Sequence, residues 1–348
     1  DDAVTVPKVT DQVLTHRNLI INGAITVNQR GTQTGIRNSF GVDRFKSQGD
    51  GAQIFTYSQS TTVPSGQGFS YSAKLDVTTA DTSVAAGEYH LLVYNFEGQD
   101  LQHLKYGTSG AESVTLQFWV RSPKTGTHIV ELNHQDAAYF NSQAYTIASA
   151  NTWQKVTLTF SGYQTTAITN DNTHGFGVAW WLMAGSTYSG GTLASNTWQN
   201  TAANRAAGQV NVADSTSNEF YITGVQLEVG ETATPFEHRS YGQELAKSQR
   251  YYEKCGAGIG GATSSNMAAW NSGIAFKVEK RATPSAIHLA NFTAITPGSN
   301  THTVSVSTIA YSTTWGACLI HTATGSAGSN QCWLYFESSN NIAFDAEL

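Results

Sequence analysis

Short segments of alternating apolar and polar residues recur along the chain and are separated by turns rich in Gly and Ser. A period of two places every other side chain on one face, as in a β-strand that is buried on one side. Many short strands with few helical patterns predict an antiparallel sandwich or jelly roll. The predicted strands are 19–27, 40–47, 53–58, 69–77, 89–96, 114–121, 127–132, 153–160, 175–183 and 219–228.

The periodicity changes after residue 228, which indicates the end of a domain. Thr234-Pro235-Phe236 ends the last strand because proline cannot donate to a sheet ladder. From Tyr241 the apolar spacing is helical, with Ser240 as a candidate N-cap. A Gly-rich stretch, 256–266, has the composition of a flexible hinge. Shorter strand-like segments follow near 273–278, 285–290, 302–309, 316–320, 331–337 and 341–345.

The predicted fold class is therefore all-β. We expect an antiparallel jelly-roll sandwich followed by a smaller C-terminal β-sandwich domain, with a short N-terminal arm in front. The predicted domains are an arm (1–17), a jelly-roll domain (18–238), a linker helix (239–255) and a C-terminal β tip (256–348). The arm is too short for a core of its own, so it is either a stalk in which chains wind together or a loose N-terminal segment.

Charge and composition exclude several partners. The chain has 348 residues, of which 13% are charged, and a net charge of -6. Nucleic-acid binding needs clustered Lys and Arg, and the sequence has no basic run. It also contains no apolar run of transmembrane length and no signal-peptide pattern, so we expect no membrane insertion.

Three cysteines are too few for a disulfide framework. Cys318 and Cys332 can pair if their strands are neighbours, because a disulfide requires closely spaced Cα atoms. The alternative is that all three residues are partly buried thiols.

Five stretches carry a family resemblance. GVQLEVGETATPFEHRSYGQELAKSQRYY, ending at Tyr252, resembles the segment between a jelly-roll module and a C-terminal tip in phage tail-fibre and virion proteins. Residues 18–32 resemble the opening of that module, and 97–131 resemble its helix, edge loop and central strand. Lys280 to Pro284 (KRATP) and the ending Asp-Ala-Glu-Leu resemble its C-terminal piece.

The resemblance implies a structural, non-enzymatic part of a phage particle. A tail fibre or receptor-binding protein is the leading interpretation, with a homotrimer that joins other virion proteins through its arm and binds host surface polysaccharide. A head fibre or capsid decoration protein is the alternative within the virion. A polysaccharide depolymerase and a secreted carbohydrate-binding module are alternatives of other classes.

Exposed aromatic side chains are the candidates for sugar binding, since the apolar face of a pyranose stacks on them. Trp119, Trp153, Trp180 and Trp181 lie in strand patterns and are predicted to be core residues. The ligand-binding candidates are Tyr188, Trp198, Trp270 and Trp315. Tyr188 and Trp198 belong to a long polar insertion, 184–218, which is either functional or held by its own packing. Burial at a subunit interface is an equal alternative for these aromatics.

Catalytic and metal signals are weak. Glu97 and Asp100 form the nearest local pair of carboxylates, at the start of a predicted helix, where acidic residues are favoured in any case. The sequence has neither a G-x-S-x-G elbow nor an H-E-x-x-H motif. We therefore predict no catalytic residues, no bound metal and no cofactor. A structural calcium ion, with Asp43 and Asp76 as possible donors, is the one exception considered.

Overall fold

The structure is a computed structural model that describes residues 17–255, 267–288, 292–296, 300–327 and 342–348. The described residues form two compact units, the first ending at Tyr241 and the second beginning at Gly242. Of the predicted N-terminal arm, only Arg17 lies within the described residues. The domain boundaries expected from the sequence stay predictions.

The first unit consists of two antiparallel sheets that pack face to face, which confirms the predicted all-β sandwich. Sheet A has six strands in the order β1-β4-β5-β13-β7-β10. These strands are β1 (Gln33–Ile36), β4 (Ile54–Ser60), β5 (Ser72–Thr79), β7 (Val114–Arg121), β10 (Gln154–Phe160) and β13 (Glu219–Val229). Sheet B has seven strands in the order β12-β9-β8-β11-β6-β3-β2. These are β2 (Ser39–Val42), β3 (Phe45–Asp50), β6 (Tyr89–Glu97), β8 (Gly126–His134), β9 (Tyr139–Ile147), β11 (His174–Ala184) and β12 (Trp198–Gln199).

The core lies between the two sheets and is rich in aromatic side chains. Phe118 of β7 meets Trp180 of β11 edge to face, with ring centroids 5.6 Å apart, and both residues are fully buried. Phe118 also contacts Tyr145 of β9 at 5.3 Å. Burial of such large rings is the main contribution to the stability of a sandwich of this kind.

The insertion 184–218 covers the outer face of sheet B. It contains the short helix α1 (Ser186–Ser189) and two 3₁₀ turns, Ala202–Asn204 and Val212–Asp214. Ala206 of the insertion packs on outward-facing Trp181 of sheet B in a second apolar cluster. The first unit therefore has three layers, which are sheet A, sheet B and the insertion on the outer face of sheet B.

An ion pair fastens this third layer to the sheet. Arg205 Nε and Nη2 donate to the two carboxylate oxygens of Glu131, at 3.0 and 2.5 Å. The Glu131 side chain is fully buried, and the Arg205 guanidinium lies 4.8 Å from the Phe140 ring centroid and 5.2 Å from that of Trp181. Glu131 holds the pKa of Arg205 above its usual value even though burial of the guanidinium opposes this.

The entry and the exit of the first unit are hydrogen-bonded to each other. The backbone N of Asn18 donates to Glu237 Oε2 at 2.7 Å. Arg239 donates to the carbonyl oxygens of Asn18 and Ile20, at 3.1 Å in the case of Ile20. We call this set of contacts the terminal clamp.

The strand predicted at 19–27 is absent, and the structure has a turn there. Asn22 (φ 61°) and Ile25 (φ 57°) adopt left-handed backbone conformations that interrupt an extended strand. The buried Asn22 side chain replaces the missing ladder: its Oδ1 accepts from Val27 N at 2.9 Å and its Nδ2 donates to Asp43 O at 3.0 Å. The apolar residues of this segment are buried without forming a strand.

The second unit is a smaller sandwich, as predicted. A three-stranded sheet has the order β14-β20-β16 and a four-stranded sheet has the order β15-β19-β18-β17. These strands are β14 (Tyr252–Cys255), β15 (Met267–Ala275), β16 (Ser285–His288), β17 (Phe292–Thr296), β18 (Asn300–Ser312), β19 (Gly316–Ala327) and β20 (Ile342–Asp345). Phe344 of the first sheet and Leu319 of the second share one buried cluster.

Helix α2 (Tyr241–Gln249) precedes β14, so the range predicted as a linker contains both a helix and a strand. Neither described helix is long and apolar enough to span a bilayer. The pairing of Cys318 with Cys332 stays a prediction, because Cys332 lies outside the described residues. The strand expected at 331–337 also lies outside them.

Candidate functional site

The outer face of sheet A carries the site, and strand β7 shows how the sequence builds it. Val114, Leu116, Phe118 and Val120 alternate along β7 and face the core. The residues between them therefore face away from the core, and among these are Gln117 and the half-buried Trp119. In the ladder, Trp119 lies opposite Lys155 of β10 and Thr223 of β13.

A cleft of about 550 Å³ opens on this face. Small-molecule sites commonly have volumes of about 300–1,000 Å³. The cleft is lined by Gln67, Phe69, Gln117, Trp119, Lys155, Gly224, Ala233, Thr234, Pro235, Phe236 and His238. All of these residues belong to the first unit.

Three aromatic rings form one wall. The Phe69 centroid lies 5.0 Å from that of Phe236 and 5.4 Å from that of His238. Phe69 lies against the sheet where β13 has a bulge at Gly224, which has a φ of 61°. A Cβ on Gly224 would lie 2.6 Å from Phe69 Cζ, so only glycine allows the ring this close to the backbone.

Residues 233–238, which we call the wall segment, are held on the sheet by buried polar side chains. Glu228 Oε1 accepts from Thr234 N at 2.8 Å, and Gln226 Oε1 accepts from Glu237 N at 2.8 Å. Gln117 Nε2 donates to Thr234 O at 2.5 Å. Charged and amide side chains are costly to bury without partners, so these bonds fix the position of the wall.

Beneath the floor of the cleft lies an unsatisfied acceptor. Gln117 is 1% exposed, and its enclosed Oε1 has no hydrogen-bond partner among the described residues. A buried acceptor without a partner costs about 1–3 kcal/mol.

Charges on the neighbouring part of the same face are paired with each other. Lys74 Nζ lies 2.8 Å from Glu219 Oε1, and Tyr221 Oη donates to Glu219 Oε2 at 2.6 Å. Partial burial would raise the pKa of Glu219, but the hydrogen bonds from Lys74 and Tyr221 lower it below its usual value. Arg121 stacks over the Tyr221 ring at 4.9 Å and lies 3.9 Å from Glu219.

Two of the ligand-binding candidates from the sequence, Tyr188 and Trp198, are half-buried in the first unit. Tyr188 packs between Tyr89 and Trp181, with ring centroids 5.5 Å away in both cases. Trp198 packs on the core, and its Nε1 donates to Ser161 O at 2.7 Å.

The other two candidates, Trp270 and Trp315, belong to the second unit. Trp315 is 64% exposed in the turn between β18 and β19, where Thr313 Oγ1 accepts from its backbone N at 3.1 Å. Trp270 lies in β15, and its side chain is outside the described part of the structure. Tyr188 and Trp198 thus belong to the first unit and Trp270 and Trp315 to the second, and the ligand contacts of all four stay predictions.

Sequence reasoning missed Trp119, Gln117 and the Phe69–Phe236 wall. Phe118, Trp119 and Val120 form a continuous apolar run, which indicates a strand covered on both faces. Alternation alone would have placed Trp119 opposite Phe118, on the face away from the core. Nothing local in the sequence shows that the wall segment folds back over this face.

Two arrangements resemble catalytic groups but are enclosed. Glu97 is fully buried, and its Oε2 accepts from Gln99 Nε2 at 2.7 Å. Ser47 Oγ lies 2.7 Å from His90 Nε2, and Gln53 Nε2 lies 3.1 Å from His90 Nδ1. All three residues of the second group are 0% exposed, so no substrate reaches them. Burial, with a smaller effect from nearby Arg37, lowers the pKa of His90 to about 3.

The proposed calcium donors do not meet. Asp43 is fully buried and accepts from Gln29 N at 2.6 Å and from Gln29 Nε2 at 2.8 Å. Asp76 lies in β5 of sheet A, 3.5 Å from Lys74 Nζ, whereas Asp43 lies between β2 and β3 of sheet B. Among the described residues, no group of three or more His, Cys, Asp or Glu side chains is placed to hold a metal ion.

No family model matches the chain, and no curated protein sequence matches it significantly.

Solved structures similar to the chain include two sugar-binding proteins and a phage enzyme domain. The chain is similar to a putative sugar binding protein from Bacteroides thetaiotaomicron (10% identity, 61% of this chain and 99% of that one, TM-score 0.33). It is similar to a family 11 carbohydrate-binding module of Clostridium thermocellum cellulase Lic26A-Cel5E (10%, 60% and 98%, TM-score 0.29). It is also similar to the enzymatically active domain of bacteriophage CBA120 tailspike protein 4 (14%, 61% and 21%, TM-score 0.32), of which it spans about a fifth. TM-scores this low do not establish a shared function.

Proposed function

We propose that the chain is a non-catalytic, glycan-binding protein of a phage virion, a tail fibre or receptor-binding protein that attaches the particle to a host surface polysaccharide. The sequence resemblance supports the virion assignment. The cleft on sheet A supports the glycan assignment.

The observation that carries the proposal is the half-buried Trp119 in one open cleft whose lining also includes polar side chains. A sugar has an apolar C–H face and a rim of hydroxyl groups. Trp119 offers a surface for the first, and polar lining residues such as Gln67 and Lys155 offer hydrogen-bonding groups for the second. The wall segment holds the opposite side of the cleft in place, which reduces the entropy lost on binding.

A single open cleft of this kind binds a short glycan weakly. Several copies on one particle raise the overall avidity by about 10²–10⁴ when the ligand is repeated on the host surface. A homotrimer attached through the N-terminal arm supplies such copies, and this oligomeric state is part of the proposal.

The test combines glycan binding with two matched variants. Purified protein is titrated with surface polysaccharides from a panel of bacterial strains, and labelled protein is applied to the same cells. Trp119→Ala should abolish binding, whereas Trp315→Ala, in the second unit, should leave it intact. Circular dichroism confirms that both variants are folded. Loss of binding in Trp315→Ala alone would instead place the site in the second unit.

The same samples distinguish the alternatives. A folded protein that binds no cell and no polysaccharide would refute the adhesin and favour a head fibre or decoration protein. Release of reducing ends from a polysaccharide would refute the non-catalytic assignment and favour a depolymerase.

A further inference from the structure

We infer that the cleft on sheet A selects a glycan whose sugars carry negative charge, with the carboxylate of a uronic acid as the simplest case. This inference rests on the proposed glycan binding and names the ligand class.

The lining of the cleft contains a positively charged side chain and no negatively charged one. Lys155 is the only lining residue with a fixed charge, and none of the lining residues has a carboxylate. The lining also contains the exposed imidazole ring of His238. The Glu228 carboxylate next to the lining is buried and already accepts from Thr234 and Gln226, so the charge that faces the cleft is that of Lys155.

Lys155 is available to a ligand. The Lys155 side chain is exposed, and its ammonium group forms no ion pair with any described residue. The other cations of this face are already engaged, because Lys74 and Arg121 both lie beside Glu219. An incoming carboxylate therefore has one unpaired ammonium group to meet.

The position of Lys155 relative to Trp119 suits a charged sugar. The two residues are opposite each other in the β7–β10 ladder, so their Cα atoms are roughly 4.5–5.5 Å apart and their side chains share one face. A pyranose ring stacked on Trp119 lies beside the ammonium group, within reach of a carboxylate on the ring. An ionised carboxylate is only an acceptor, so the ammonium donors of Lys155 suit it.

The net negative charge of the chain does not prevent this selection. At physiological ionic strength the Debye length is about 8 Å, so distant charges are largely screened and the contact with Lys155 dominates. Exposed ion pairs typically contribute about 0.2–1 kcal/mol. We therefore expect a preference of up to about fivefold per site, which multivalent display would amplify.

The test compares each ligand with its own neutral form. Oligosaccharides are prepared from glucuronate-, galacturonate- and mannuronate-containing polysaccharides, and half of each sample is carboxyl-reduced, so that each carboxylate becomes a neutral hydroxymethyl group on the same sugar. Titration calorimetry measures the affinity of both forms for the unsubstituted full chain and for three variants, Lys155→Gln, Lys155→Glu and Lys105→Gln. Lys105 is an exposed lysine that is paired with Glu112 outside the cleft, and it serves as the control.

We expect the full chain and Lys105→Gln to bind at least one acidic form several-fold more tightly than its reduced form. The preference should disappear in Lys155→Gln, reverse in Lys155→Glu and weaken at high salt. Equal binding of both forms, or a preference that persists in Lys155→Gln, would overturn the inference while leaving glycan binding intact. Binding of neither form, together with no binding to any surface polysaccharide, would overturn the proposed function as well.

Discussion

The buried ion pair between Glu131 and Arg205 allows a quantitative test of how the third layer is held on sheet B. Arg205→Ala removes the only cation that pairs with Glu131 among the described residues and leaves a fully buried carboxylate with Ser142 Oγ as its remaining side-chain donor, at 3.2 Å. Breaking a buried pair in this way typically costs about 3–5 kcal/mol. Loss of the contacts with Phe140 and Trp181 adds to the cost.

The matched control is Lys105→Ala. The Lys105–Glu112 pair is as short, at 2.6 Å, but its side chains are 59% and 37% exposed. Solvent-exposed pairs contribute about 0–1 kcal/mol, so Lys105→Ala should change the free energy of unfolding very little.

Urea unfolding at 25 °C, followed by tryptophan fluorescence, measures both variants. The two units are fitted as separate transitions where the curve requires it. Adding Glu131→Gln to Arg205→Ala should recover a large part of the lost stability, because the buried charge is then gone. A loss below about 1 kcal/mol in Arg205→Ala, equal to that of Lys105→Ala, would refute the reasoning.

Two further predictions concern the cleft and the pH dependence. Gly224→Ala forces a Cβ against Phe69 at a φ of 61°, so we expect a loss of about 1–3 kcal/mol in urea unfolding and weaker glycan binding; unchanged binding would show that Phe69 does not shape the cleft. His90 has a pKa of about 3 in the folded chain and about 6.5 when unfolded, so the unfolded state binds more protons between these values. Its contribution to stability is complete above about pH 6.5 and is lost as the pH falls toward 3. In acid titrations of urea unfolding, His90→Gln should therefore show a shallower decline than the parent, and identical slopes would contradict this.

The strands could be predicted from sequence because alternation is a local signal. Val156, Leu158 and Phe160 alternate with polar residues and form strand β10. The 3₁₀ helix Gly98–Leu104 begins directly after Glu97, where the sequence predicted the start of a helix. The strand prediction for 19–27 was wrong because the turn there depends on the Asn22 side chain. This side chain is hydrogen-bonded to Val27 and Asp43, which lie five and 21 positions further along the chain.

The site could not be predicted because it depends on pairings distant in the chain. Trp119 faces a cleft only because β13, about a hundred residues later, pairs with β7 and carries the wall segment back over the sheet. Trp198 seemed exposed because its neighbours in sequence are polar, yet its ring packs on Tyr163 with centroids 5.3 Å apart. Composition near a residue does not reveal which distant segment covers it.

The terminal clamp has a mechanical consequence. Asn18 and Ile20, where the described chain enters the first unit, are bonded to Glu237 and Arg239, just before it leaves. Tension applied between the N-terminal side and the second unit therefore loads the clamp before it reaches either sheet. Glu237 belongs both to the clamp and to the wall segment, where its backbone N donates to Gln226 Oε1, so such a load reaches one wall of the cleft as soon as the clamp is stretched.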